Sequence, residues 1–120
     1  MSLKKLKVGW EYLEMINSKD KGKRGEREFA NLLKKYGFNA RRGQQYKGTK
    51  DSPDVICDVL PFHFEVKRVQ KLNLDSAMDQ AKKDCGNNEP VVAHRKDHHK
   101  WLITIDAEYF LKNLATEAIE

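Results

Sequence analysis

From Lys23 onward, Phe29, Leu32, Leu33 and Tyr36 recur at i, i+3, i+4 and i+7, the spacing of one buried helical face. Gly37 follows as a helix stop. Residues 1–20 precede this pattern as an arm with a short helix around Trp10 to Ile16, and the polar stretch NSKDKGK reads as a linker. The folded domain is therefore expected over 21–120. After Gly37, FNARR predicts a first strand and GQQYKGTKDS a polar loop leading to Pro53.

The stretch PDVICDVLPFHFEVK changes the period from 3.6 to two. A tight connection at Leu60-Pro61 pairs Val59 with Phe62, Cys57 with Phe64 and Val55 with Val66 in an antiparallel hairpin, so one face is wholly apolar. The opposite, wet face then carries Asp54, Ile56 and Asp58 against Lys67, Glu65 and His63. A slip of one residue would set a charge opposite every apolar side chain, so the parity is specified even for a longer loop. Leu74, Ala77, Met78, Ala81 and Cys85 return to helical spacing between a cap at Asn73 and a stop at Gly86. The runs PVVAH and WLITI predict two more strands around the charged turn RKDHHK. Asp106 can cap a last helix bearing Ala107, Phe110, Leu111 and Leu114. The order α-β-β-β-α-β-β-α is that of an α/β domain with a mixed central sheet flanked by helices.

A chain of 120 residues holds one such domain. No apolar run is long enough to cross a bilayer, and MSLKKLKVGW lacks the uninterrupted apolar segment of a secretory signal. A cytoplasmic protein without a membrane partner is expected. Cys57 and Cys85 alone make no disulfide framework. The net charge of +5 is unevenly placed: residues 1–50 carry 14 Lys/Arg against 5 Asp/Glu, whereas residues 51–120 carry 9 against 13. The first half suits a polyanion such as nucleic acid, and the second suits a cation.

Hydrolysis of a phosphodiester needs a cation on the phosphate, a positioned water and stabilisation of the departing oxygen. Asp54 and Glu65 share a hairpin face, with Lys67 roughly 7 Å further along its strand. Mg²⁺ keeps several waters and takes few protein ligands, which two carboxylates and the Val66 carbonyl can supply. Lys67 can orient a water, accept its proton or stabilise developing charge. The plainer reading is a hairpin with ordinary cross-strand ion pairs, and on alternation alone it is the commoner case. Likewise Glu26 can be a helix-start carboxylate, but it shares the side of Phe29 and Leu33 one turn towards the N-terminus. Metal or Lys67 is the partner the sequence offers it. Gly43 to Lys50 has the glycine spacing of a phosphate loop with Lys and Thr transposed, which argues against an NTPase. His94, His98 and His99 with Cys85 lack the Cys pair of a zinc site; a solvated turn fits them better, or one that touches DNA.

Ser52-Pro53-Asp54 followed by Glu65-Val66-Lys67 resembles the PD-(D/E)XK nuclease signature. Lys21 to Glu28, KGKRGERE, resembles the first motif of archaeal Holliday junction resolvases. With RRGQQYKGTKDSPDV, FHFEVKRV and WLITI, the chain looks most like small phage-encoded members of that group, from about Lys21 to Leu114. The resemblance implies a restriction-endonuclease-like core and a metal-dependent DNA endonuclease acting on branched or double-stranded DNA as a homodimer. Its site would use Asp54, Glu65, Glu26 and Val66 on Mg²⁺, with Mn²⁺ as substitute. Lys67 would be the catalytic lysine, and Gln80 resembles a further site glutamine of some branches. Arg27, Arg41, Arg42, Lys47 and Lys50 would hold DNA, and a phage origin would place the enzyme in the host cytoplasm. A catalytically silent DNA-binding module of the same architecture is the alternative.

Overall fold

A computed structural model describes residues 21–43 and 53–119, with side chains through residue 116. The arm of residues 1–20, Lys47 and Lys50 lie outside the described residues. Helix α1 runs through residues 21–35. It is followed by β1 (Arg41–Arg42), β2 (Val55–Ile56), β3 (Phe62–Arg68), α2 (Leu74–Asp84), β4 (Glu89–Arg95), β5 (Leu102–Thr104) and α3 (Ala107–Ile119). The expected order of elements is the observed one. Gly37 and Gly86 end α1 and α2 with φ of 92° and 56°, a left-handed turn that glycine adopts without a Cβ penalty. Asn73 caps α2 by accepting from Ser76 N at 3.0 Å, and Asp106 caps α3 by accepting from Tyr109 N at 2.9 Å.

The five strands form one sheet in the order β1-β2-β3-β4-β5. Strands β3 and β4 pair in parallel from Phe62↔Glu89 to Arg68↔Arg95, and the other neighbours are antiparallel. This mixed α/β sheet with helices on both faces has the layering expected of a restriction-endonuclease-like core. The hairpin register differs from the expected one by two residues, because Val55 faces Phe64 rather than Val66. Leu60 N donates to Cys57 O at 3.1 Å, so the turn closes around Asp58 and Val59, and Val59 is left exposed instead of pairing with Phe62. A two-residue shift preserves the parity of the faces.

Phe29, Phe64, Val55, Val91 and Ala93 fill the core on the α1 side. Phe29 meets Phe64 edge-on at 5.2 Å and Trp101 at 5.3 Å. Each fully buried side chain of this size contributes about 1.5–3 kcal/mol. On the other face Ala77 and Ala81 of α2 pack on Val92. The helix covers the face expected to be wet, and His63 and Glu65 are only 2% and 7% exposed. Two apolar faces are less buried than their spacing suggests: Tyr36 ends α1 at 70% exposure, and Phe110, Leu111 and Leu114 of α3 are about half exposed, at 52%, 59% and 47%. Tyr109, outside the expected α3 face, makes the contact with Phe62 at 6.0 Å. No helix among the described residues is long and apolar enough to cross a membrane.

Candidate active site

Strand β2 is short, and where it ends beside β3 the ladder opens. Asp54 N donates to Phe64 O at 2.9 Å, and the Asp54 carboxylate then reaches round to accept from Val66 N at 2.8 Å. The N–H and C=O of a strand residue leave on the same side, so the Val66 carbonyl faces the same gap. One step along the observed register sets Asp54 opposite Glu65 instead of the expected Lys67. Gly43 holds this corner from outside: its N–H donates to Asp54 O at 2.9 Å, and a Cβ there would lie 1.9 Å from Pro53 O. Only glycine allows the backbones to come this close.

Glu26 from α1, Asp54 from the entry to β2, and Val66 and Lys67 from β3 line one cavity of ≈ 330 Å³ together with Lys21 and Arg68. The helix and hairpin thus bring together four of the expected residues, the first 28 positions before the second and 41 before the last. Burial and the neighbouring Glu65 carboxylate push the Asp54 carboxyl up to about 7; the Val66 N–H and Lys67 pull it down, and Glu26 pushes it further up. Glu65 does not line the cavity. Its Oε1 lies 3.1 Å from His63 Nε2, and both side chains are buried. Glu26 is half-buried, and the partner it meets is Arg42 rather than Lys67: Arg42 Nε donates to Glu26 Oε2 at 2.8 Å. Strand β1 runs antiparallel to β2 and so carries Arg42 to the start of α1.

The other expected residues are spread more widely. Arg27 is exposed on α1 and is not part of the cavity lining. Arg41 is exposed and pairs with Asp58 at 3.3 Å. Gln80 is exposed on α2, donates to Asp84, and does not reach the cavity. Two residues were missed. His63 stands two before Glu65, so strand alternation already placed them on one face. Arg68 follows Lys67 and lies between Glu28 at 2.7 Å and Asp97 at 2.6 Å. Its hydrogen bond holds the Asp97 carboxyl below the usual carboxylate range. Arg95 also pairs with Glu28, so this network ties α1 to the ends of β3 and β4 beside the cavity.

No group of three or more His, Cys, Asp or Glu among the described residues is gathered as a metal centre. The chemistry of the donors nevertheless fits a hard divalent cation, which needs only one or two carboxylates beside its waters. Asp54 is made costly as an anion by burial and by Glu65, and a cation bound beside it would remove that cost.

The model of the archaeal Holliday junction resolvase (Hjc) family matches residues 17–109. Among solved structures, the chain resembles Hjc of Archaeoglobus fulgidus, a Holliday junction resolvase from an archaeal hyperthermophile. The two are 25% identical, with 71% of this chain and 72% of the other covered and a TM-score of 0.53. No curated protein matches in sequence. The chain therefore belongs to the archaeal Holliday junction resolvase family of PD-(D/E)XK nucleases.

Proposed function

We propose that this chain is a Mg²⁺-dependent endonuclease that hydrolyses phosphodiester bonds in branched DNA, with Mn²⁺ able to replace Mg²⁺. The observation that carries this reading is the meeting of Glu26, Asp54, Val66 and Lys67 on one cavity, with the Asp54 carboxyl raised beside Glu65. Asp54, Glu65 and the Val66 carbonyl would hold the ion, and Glu26 would join them directly or through water. When bound, Mg²⁺ neutralises phosphate charge and acidifies a water. Lys67 would orient the attacking water and stabilise the charge that grows on the phosphate as the bond to the leaving oxygen breaks. Arg27, Arg41, Arg42, Lys47 and Lys50 contact phosphates without reading bases. Gln80 would support the site only by moving from its present bond to Asp84.

Two copies would suit a four-way junction, which offers two equivalent strands. Exposed Leu102 and Ile103 on the edge strand β5, with Phe110 and Leu111 on α3, supply apolar surface for such a homodimer. An enzyme acting on DNA as a soluble protein would work in the cytoplasm, that of a host if the gene is a phage's. A silent DNA-binding module is the second reading, favoured by the existing partners of Glu26 and Glu65. Cleavage titrated against Mg²⁺ on linear, flapped and four-way DNA separates the two. Metal-dependent nicking, strongest on the four-way substrate, is the expected result; binding to all three with no cleavage at any Mg²⁺ or Mn²⁺ concentration leaves the silent module.

A further inference from the structure

A second concave surface lies at the opposite end of α1. Its volume is ≈ 580 Å³, and its walls include Lys35 and Tyr36 from the end of the helix, Arg95 from the end of β4, and His99, Lys100 and Trp101 from the turn that follows it. No acidic residue belongs to this lining, and aromatic rings alternate with cations. From Glu26 to Tyr36 the helix rises about 15 Å, roughly the length of four nucleotides of a B-form strand. The groove is therefore separate from the candidate active site but within reach of one DNA molecule. It follows the DNA-acting reading above in its substrate class alone.

The parts of this groove are held in place. Trp101 is backed by the buried Phe29 ring at 5.3 Å, so the indole is a fixed floor. His98 has φ of 62°, a left-handed conformation uncommon for a residue with a side chain. Such geometry persists where the surroundings over-determine it. Here Arg95 Nε donates to His99 O at 2.6 Å and His99 N to Lys96 O at 3.2 Å, which fixes the turn and presents Lys100. Tyr36 stands out from the opposite wall at 70% exposure, with the Lys35 ammonium 5.8 Å from its ring centre. The carbonyl end of a helix repels anions, but Leu33 O and Lys34 O are already satisfied by Tyr36 N, Gly37 N and Phe38 N. Lys35 and Lys100 then set the local sign of the field.

A purely electrostatic duplex contact needs cations and no rings. An apolar partner would not call for cations around the mouth. Rings with interleaved cations match the two halves of a nucleotide, a flat base and a phosphate, and every base offers a face to stack. We infer that this groove binds unpaired nucleotides, stacking a base on Trp101 with Tyr36 as the facing wall and holding the adjoining phosphate with Lys35 and Lys100. In a branched substrate it would receive bases displaced where arms meet.

The test uses the full chain carrying Trp10→Phe, which leaves Trp101 as its only tryptophan, without divalent metal so that no strand is cut. Single-stranded oligothymidylate, a duplex of equal length and polyglutamate of equal charge are titrated separately. Saturable quenching of Trp101 by the single strand alone is expected. Tyr36→Ala, at a position exposed enough to spare the fold, should weaken single-strand binding about tenfold while duplex affinity stays within twofold. Unchanged Trp101 emission at saturation, equal quenching by polyglutamate, or equal losses on duplex and single strand would overturn the inference. Junction cleavage assayed separately keeps the readings apart: cleavage with a silent Trp101 removes only the groove, and a responsive Trp101 without cleavage removes only the nuclease.

Discussion

Arg42 Nε stands 2.8 Å from Glu26 Oε2, and this ion pair joins the second residue of β1 to the first turns of α1 at the edge of the candidate active site. A guanidinium expected to meet DNA and a carboxylate expected to meet metal are thus each other's partners. A phosphate approaching Arg42 would loosen its hold on Glu26 and free the carboxylate for a cation. Glu26→Gln is expected to slow cleavage at least tenfold, about 1.4 kcal/mol of barrier. Arg42→Gln should slow it as well, and the double variant should lose less than the product of the two. Single-turnover rates in this double-mutant cycle measure the coupling; multiplicative losses would mean that the pair does not act as a unit.

Asp54 makes stability depend on pH. Burial and the Glu65 carboxylate push its carboxyl up to about 7 from an ordinary 3.8, so the folded state binds more protons than the unfolded one between these values. Stability must therefore fall as pH rises from about 4 to 7 and then level off. Without metal, the wild type should lose at least about 4 °C more in Tm between pH 5 and 8 than Asp54→Asn, the shift of roughly 1 kcal/mol in a domain of this size. Mg²⁺ at pH 8 should restore it. Thermal melts of the two proteins that run parallel in pH would remove the burial argument.

Lys67 lines the cavity but cannot ligate a cation as an ammonium. Lys67→Ala should lower turnover by two orders of magnitude or so while the Mg²⁺ concentration for half-maximal rate changes little. Calorimetry showing lost metal binding, with an unchanged single-turnover rate, would assign it another role.

His63 holds Glu65 Oε1 at 3.1 Å from a site with 2% exposure. Partners of a metal-binding carboxylate orient it, and their loss typically costs 10–100-fold in metal affinity. His63→Ala should raise the Mg²⁺ requirement by about that factor at an unchanged saturating rate, and His63→Gln, which keeps a donor, should recover most of it. A fall in Tm with no change in the Mg²⁺ curve would make His63 a core residue only.

Much of this arrangement was legible because it depends on local signals. The period of apolar residues, Gly37 and Gly86, and the caps at Asn73 and Asp106 placed the elements in order. Strand parity placed Asp54 with Glu65 and Lys67. The hairpin register was not legible to better than two residues, since the turn could close at Leu60-Pro61 or around Asp58-Val59 without moving a charge to the apolar face. The burial of His63 and Glu65 was hidden for a different reason: it depends on α2 crossing their face, and Ala77 and Ala81 reveal that approach only once the helix is docked. The Arg42–Glu26 pair is likewise tertiary, set by β1 running back along β2.

Cleavage of a four-way DNA junction by the wild type and Asp54→Ala, compared at equal bound fraction in Mg²⁺, tests the central claim most directly. The account predicts paired nicks near the branch point by the wild type, none without divalent metal, and none above background by Asp54→Ala, which should still bind the junction. Equal cleavage by both proteins, or cleavage by the wild type in a chelator, would contradict it.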